Sequence, residues 1–391
     1  MQAAPRFPAL DVLRGIAILG TLAVNIWLFT APSSLLDYLA GAVSMLDVAL
    51  GERLLQQLPN GKFLGLLSLL FGVGMALQLR QARATHAPWY GPYAWRMLLL
   101  LADGTVHFLL VFEFDILMTY SVTALLVAAL LPRSTAWQRG WLWTAALLHG
   151  LLLLASALLL AAFPPAAPDT AALFPVDPYL HGSWWDLVRL RAEHALAFRY
   201  EAIFALPLTL ALFLGGARLV EAGLLEPRGA ALRRRLCTIA AVALPVDLVL
   251  GVSGGDAGLL LARYGTAPLV ALGLLAWGVG AFDPVAPRVH GALVRRLAAV
   301  GRMALSAYVL QNLLASAVCY GWGLGLAAWL QDHEGARVPA TLLLYLALCA
   351  TLLLAAPWWL QRFGQGPLEA LMRRLRPAAR PATGQPPRRS R

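Results

Sequence analysis

Residues 10–29 read LDVLRGIAILGTLAVNIWLF, an apolar run that carries Asp11, Arg14 and Asn25. About 20 apolar residues in a helix span the hydrocarbon core of a bilayer. A charge inside such a helix costs several kcal/mol unless something nearby compensates it, so it faces the protein interior or a wet cavity and marks a functional site by default. At about 100° per residue, position 25 returns to within about 20° of position 14, roughly 16 Å further along the axis. Arg14 and Asn25 therefore form one polar stripe down the bundle-facing side of this helix.

The rest of the chain repeats the pattern. Of 391 residues, 60% are hydrophobic and 13% charged, about half the charged share of a soluble domain. The sequence predicts an all-α, polytopic integral membrane bundle in which each helix satisfies its own backbone. Apolar stretches near 10–30, 61–80, 94–112, 114–132, 140–163, 201–220, 236–252, 259–281, 303–325 and 338–360 give about ten spans. The net charge of +11 comes almost wholly from Arg, with Lys62 the single Lys. The Arg residues fall in short runs in alternate loops, which places both termini in the cytoplasm and speaks against a nucleic-acid partner. Residues 1–363 read as one transmembrane domain with outer loops at 31–60 and 164–200. Residues 364–391 read as a basic cytoplasmic tail, disordered from about 377 and apposed to anionic membrane lipid. The N-terminal run lacks a cleavage motif and reads as a retained span. Cys237, Cys319 and Cys349 have neither disulfide-framework nor metal-ligand spacing, so no metal is expected.

The third span brings Arg96, Asp103 and His107 to one helix face, at separations of four and eleven residues. Glu113 and Asp115 follow in a short hairpin. Asp115 is placed to orient His107, which would then take a proton from an acceptor hydroxyl; the plainer reading is that these pairs only lock helices together. Lys62 opens the second span, either as an interface anchor or as a substrate-binding cation. Gly72 and Gly74 allow close helix approach. In the ninth span Arg302 lies at the inner end. Ser306, Tyr308, Gln311 and Asn312 follow, bonding between helices or lining a polar cavity. No Pro- or Gly-broken helix pair is expected in the core spans. Asp247 and His149 stand isolated and receive no role. Residues 34–58 and 181–200 are amphipathic, suited to lie in the interface or to cover an outward cavity.

Five segments carry a resemblance: LDVLRGIAILGTLAVNI (10–26), GKFLGLLSLLFGVGMALQ (61–78), RMLLLLADGTVHFLLVFEFDILMTYSV (96–122), GRMALSAYVLQNLLASAVCYGWGLGL (301–326) and WWLQRFGQGPLEALMRRL (358–375). In this order they resemble the YeiB-like family, domain of unknown function 418, which is distantly similar to acyltransferase-3 and other transmembrane acyltransferases. The resemblance implies a bacterial inner-membrane core of about ten spans. That core would move an acyl group from cytoplasmic acyl-CoA to a sugar-like or other hydroxyl or amine acceptor on the far side. In acyltransferase-3 proteins the first span carries a basic residue, ten intervening residues and a His. Arg14 fits the first position, but Asn25 stands at the second. An amide cannot act as a general base. Either His107 supplies the imidazole from another helix, or the chain is a transporter or exporter of a small metabolite or lipid precursor. On the acyl-transfer reading Arg14, Arg96 and Arg302 bind CoA phosphates. His107 is the base, helped by Asp103 or Asp115. Asn25 and Lys62 polarise the thioester or position the acceptor, and Tyr308 and Gln311 line the cavity.

Overall fold

The computed structural model describes residues 7–32, 35–36, 49–163, 174–282 and 291–375. Parts of the expected outer loops, residues 37–48 and 164–173, and the tail from 377 lie outside these residues.

The described residues are helical, with no strand among them. The helices are α1 (Pro8–Thr30), α2 (Leu50–Gln57), α3 (Lys62–Ala84), α4 (Tyr90–Leu110), α5 (Leu117–Leu130) and α6 (Thr135–Ala162). Then come the short α7 (Pro178–His181), α8 (Trp184–Glu193) and α9 (Ala195–Arg199), followed by α10 (Ala202–Glu221), α11 (Ala230–Ser253) and α12 (Gly255–Leu261). After a π turn (Ala262–Thr266) follow α13 (Ala267–Ala281), α14 (Ala292–Arg302), α15 (Ala304–Cys319), α16 (Leu326–Asp332), α17 (Arg337–Phe363) and α18 (Pro367–Arg374).

Seven of these helical stretches are long and apolar enough to cross a membrane, eight if α14 and α15 count as one bent span. Two expected spans fall outside that number for physical reasons. The third coincides with α4, whose apolar character is diluted by Arg96, Asp103 and His107, and the fourth with α5, only 14 residues long. Rows of large apolar side chains point outward along α6 (Leu147, Leu151, Leu154, Leu158), α11 (Val242, Val246, Val249) and α17 (Leu343, Leu346, Leu354). Such continuous exposed stripes fit hydrocarbon as the solvent, and the chain is a multi-pass membrane protein.

Inside, α1 packs on α14, α15 and α3; α3 packs on α10 and α13; and α10 also holds α5 and α6. The α3–α10 crossing is close because Gly72 lies against the Phe213 backbone, where a Cβ would come within 2.0 Å of its carbonyl oxygen. Gly74, expected to act alike, has no helix backbone against it; a Cβ there would lie 3.9 Å from the Arg14 guanidinium, in ordinary contact. Among the described residues α4 leans on α5 and α8 and has no extended packing against α1 or α3.

The expectation of unbroken core spans is corrected at the ninth. Its helix covers only Ala304–Cys319, and α14 meets it at 92° around Met303. No Pro marks this break. Met303 leaves helical geometry (φ −120°, ψ 41°), and the exposed N-terminus of α15 is closed by Glu369 of α18. The Glu369 carboxylate accepts from Leu305 N–H at 3.0 Å, from Ser306 N–H at 3.3 Å and from the Ser306 hydroxyl. An acid at a helix N-terminus satisfies orphan N–H groups and opposes the helix dipole.

The segment after residue 174 is pinned rather than loosely laid on the bundle. A capping box of Ser183 and Asp186 starts α8, and the Ser183 hydroxyl and N–H hold the Asp186 carboxyl below its ordinary range. Trp184 donates to Leu110 O at 2.8 Å, while Trp185 faces outward.

Candidate functional site

His107 sits near the C-terminal end of α4, 2% exposed, with Asp115 buried at the start of α5. The intervening hairpin folds back so that Asp115 Oδ2 lies 2.8 Å from His107 Nδ1. The other carboxylate oxygen accepts Met118 N–H at 3.1 Å. Space for this approach comes from Gly104, where a Cβ would lie 2.9 Å from Asp115 Oδ1. The hairpin is clamped by Arg199, which donates to Asp115 O at 2.7 Å and Glu113 O at 3.0 Å and lies over the Phe108 ring.

With Asp115 as acceptor, Nδ1 carries the imidazole proton and Nε2 keeps its lone pair. Asn312 Nδ2 on α15 faces that lone pair at 3.3 Å. Asn312 Oδ1 accepts in turn from Asn25 Nδ2 on α1 at 3.4 Å. Tyr308 places its ring 5.2 Å from the His107 ring and its hydroxyl against Asn312 and the Ile116 backbone. Gln311 is buried one residue away and donates to Thr21 at 3.3 Å. The polar stripes of α1 and α4 therefore meet through α15. His107 and Asn312 are buried, and Asn25 and Thr21 are half-buried.

Towards the other end of α1, Arg14 pairs with Asp11 at 2.7 Å. Arg96 donates to Gln78 of α3, whose amide N–H bonds back to Gly74 O. Gln78 thus stands between the two Arg residues. Asp103 lies one turn of α4 below His107, half-buried, with one carboxylate oxygen lacking a partner. Arg302 is exposed at the end of α14, beside the break.

Lys62 belongs to a different cluster. Its ammonium pairs with Asp247 and bonds Gln57 O at 2.9 Å and Asn60 O at 3.3 Å, so all three donors are used. Gln57 and Thr266 complete the shell around Asp247. His149 also finds a partner, the Tyr264 carbonyl of the π turn, 3.0 Å away. The sequence could not pair these residues because their partners lie more than a hundred positions away.

A second buried ion pair fastens the 174–199 segment. Arg191 Nε and the Tyr179 hydroxyl each donate to Glu113 Oε1 at 2.8 Å. Burial and the neighbouring carboxylate push the Tyr179 phenol well above its ordinary value.

Sequence reasoning missed Gln78, Gly104, Arg199 and Glu369. Glu369 carried a signal, since GPLEAL reads as a Pro-started helix with an acid in its first turn. Among the described residues no cluster of His, Cys, Asp and Glu could hold a metal ion.

Comparison with known proteins adds no assigned activity. Residues 219–378 match the family described as protein of unknown function (DUF418). The chain is 26% identical over 394 residues to the uncharacterized protein YxaH of Bacillus subtilis (strain 168), covering 94% of this chain and 93% of that one. It is 30% identical over 393 residues to the uncharacterized protein YeiB of Escherichia coli (strain K12), covering 94% and 95%. No solved structure matches the chain. With YeiB alike over almost its whole length and the family model matching its C-terminal part, the chain belongs to the YeiB-like family of domain of unknown function 418.

Proposed function

We propose that this protein is a membrane acyltransferase that uses His107 as its general base. The observation that carries the reading is the buried Asp115–His107–Asn312 chain, which leaves Nε2 as an acceptor where α1, α4 and α15 meet. The steps follow from those groups. An acceptor hydroxyl or amine takes the place of the Asn312 amide at Nε2 and gives up its proton as it attacks the thioester carbonyl of acyl-CoA. Asp115 stabilises the imidazolium. The tetrahedral oxyanion accepts from the Asn25 and Asn312 amides. The C–S bond then breaks, and the thiolate of CoA takes the proton from His107. Arg14, Arg96 and Arg302 hold the CoA phosphates at the end of the bundle away from Asn25, a task suited to guanidinium forks. Tyr308 packs the imidazole in place, and Asp103 supports the proton route.

In this reading the alternation of Arg between loops gives about ten spans with both termini cytoplasmic, α4 and α5 being counted as a polar pair shielded by their neighbours. The Arg14 end faces the cytoplasm, and the bacterial inner membrane is the setting. Surrounding lipids and a small-molecule or glycan acceptor are the partners.

The test is thiol release from acyl-CoA by the purified protein in liposomes, with acylated product identified by mass. His107→Ala is expected to abolish it while the protein stays folded and inserted. Full activity in that variant ends the assignment.

One observation favours a second reading. The capped 92° break between α14 and α15 is the kind of discontinuous helix that transporters place at a substrate site. Movement of unmodified solute into the liposomes, without thiol release, identifies a carrier.

A further inference from the structure

Two interruptions of the helical pattern meet around Lys62. Between α2 and α3 the chain turns through residues 58–61, with Gly61 at a φ of +71°. The π turn Ala262–Thr266 lies so close that a Cβ on Gly61 would fall 2.3 Å from Arg263 O. Where a helix stops, its last carbonyls lack helical partners and carry the negative end of its dipole. Two such carbonyls turn toward one point here, Gln57 O at the end of α2 and Asn60 O in the turn.

The Asp247 carboxylate of α11 completes the cage, and the Lys62 ammonium occupies it, 2.9 Å from Gln57 O and 3.3 Å from Asn60 O. Thr266 donates to Asp247 Oδ1 at 3.0 Å and Gln57 Nε2 to Oδ2 at 2.9 Å, which fixes the carboxylate. Asp247 is fully buried, and among the described residues Lys62 is its one ionic partner. Arg263, close by in the π turn, is paired with Glu201 instead. A carboxylate and two freed carbonyls thus converge on a single positive charge, which is how interrupted helices hold a cation inside a membrane protein. The spacings set the class of ion. Magnesium takes oxygens at about 2.0–2.1 Å and calcium at about 2.3–2.6 Å, too short for this cage, and one carboxylate balances one charge. A monovalent ion of ammonium size fits. Gln57 and Asn60 also line a recess of about 60 Å³, an entry route for an ion of that size.

We propose that this cage is a monovalent-cation site whose resident ion is the protein's own Lys62 ammonium, tethered by its side chain. The joint between the two interruptions needs a cation there rather than a lysine as such. The wild-type chain takes up no free ion at this place, and a chain without the Lys62 side chain takes up potassium or ammonium in its stead. The site is separate from His107 and does not depend on acyl transfer.

The experiment is thermal unfolding of the full chain in detergent, in potassium, ammonium and choline chloride at equal ionic strength. The wild type is expected to unfold at one midpoint in all three, its site being filled. Lys62→Ala is expected to unfold about 3 °C or more higher in potassium or ammonium than in choline, which is too bulky for the cage. Lys62→Gly with added propylammonium gives a second test should the first variant fold poorly. The amine replaces the missing stem and charge together, and it is expected to raise the midpoint of this variant and not that of the wild type. Adding Asp247→Asn to Lys62→Ala is expected to erase the dependence on the cation, because no charge remains to be balanced. The proposal is overturned by the absence of a cation response in both Lys62 variants, including their failure to fold in any of these salts. A response that survives Asp247→Asn, or one of equal size in the wild type, also overturns it. Because unfolding is read and not thiol release, the outcome is independent of the chemistry at His107.

Discussion

At His107 the imidazole is held from both sides, by a carboxylate at Nδ1 and an amide at Nε2. On the proposed chemistry, Asp115→Asn removes the acceptor that fixes the tautomer. Thiol release is then expected to fall by about 10²–10⁴-fold, with acyl-CoA binding retained. Gly104→Ala reaches the same group by a different route. The added methyl meets Asp115 Oδ1 at 2.9 Å and pushes the carboxylate off His107, so turnover should drop while Asn312→Asp or other changes on α15 leave the hairpin in place. Paired kcat and KM measurements check both, since only kcat is expected to fall. Much of this cluster was legible in the sequence. Asp103, His107 and Asp115 are polar intrusions in apolar helices, and their spacing gives the shared face. Asn312 stood among several polar residues in its helix, with nothing local to single it out. Arg199 was hidden because its bonds go to backbone carbonyls, which leave no pattern in the residue types.

At the scale of elements, two neighbouring glycines separate packing from access. Gly72→Ala forces a methyl into the Phe213 carbonyl of α10, an overpacking expected to cost about 1–3 kcal/mol and to lower the thermal midpoint. Gly74→Ala meets nothing closer than 3.9 Å and should leave that midpoint unchanged. Thermal unfolding of the two variants in one detergent reads the contrast. The Glu113–Arg191 pair offers a harsher case, because both side chains are essentially inaccessible. Removing one partner of a buried pair costs about 3–5 kcal/mol, so Glu113→Gln is expected to loosen the 174–199 segment, seen as faster proteolysis there. Sequence patterning found the positions of most helices, since apolar length is a local property. The bend at Met303 escaped because the group that makes it tolerable, Glu369, sits on another helix.

Over the whole molecule, apolar side chains face outward along α6, α11 and α17, while polar groups gather in two inner clusters, around His107 and around Asp247. The proposed orientation places them at different depths. Single cysteines introduced beside Arg14 and beside Lys62, in a variant whose three native Cys are replaced, should label from opposite sides of sealed vesicles. Labelling from one side would remove the orientation. Composition and Arg placement made the membrane class legible without structure. They did not reveal that Lys62 and Asp247, 185 positions apart, neutralise each other.

The carboxylate that closes the start of α15 is encoded 63 residues after Ser306. During synthesis, α15 emerges with bare amide groups at its bend, and nothing before α18 in the chain supplies their partner. Formation of the polar centre therefore waits on α18, which follows every other described helix in the chain. A nascent product halted after α17 would hold nearly every span yet lack the clasp that sets Asn312 at its depth, and quality-control proteases would meet it as an unfinished protein.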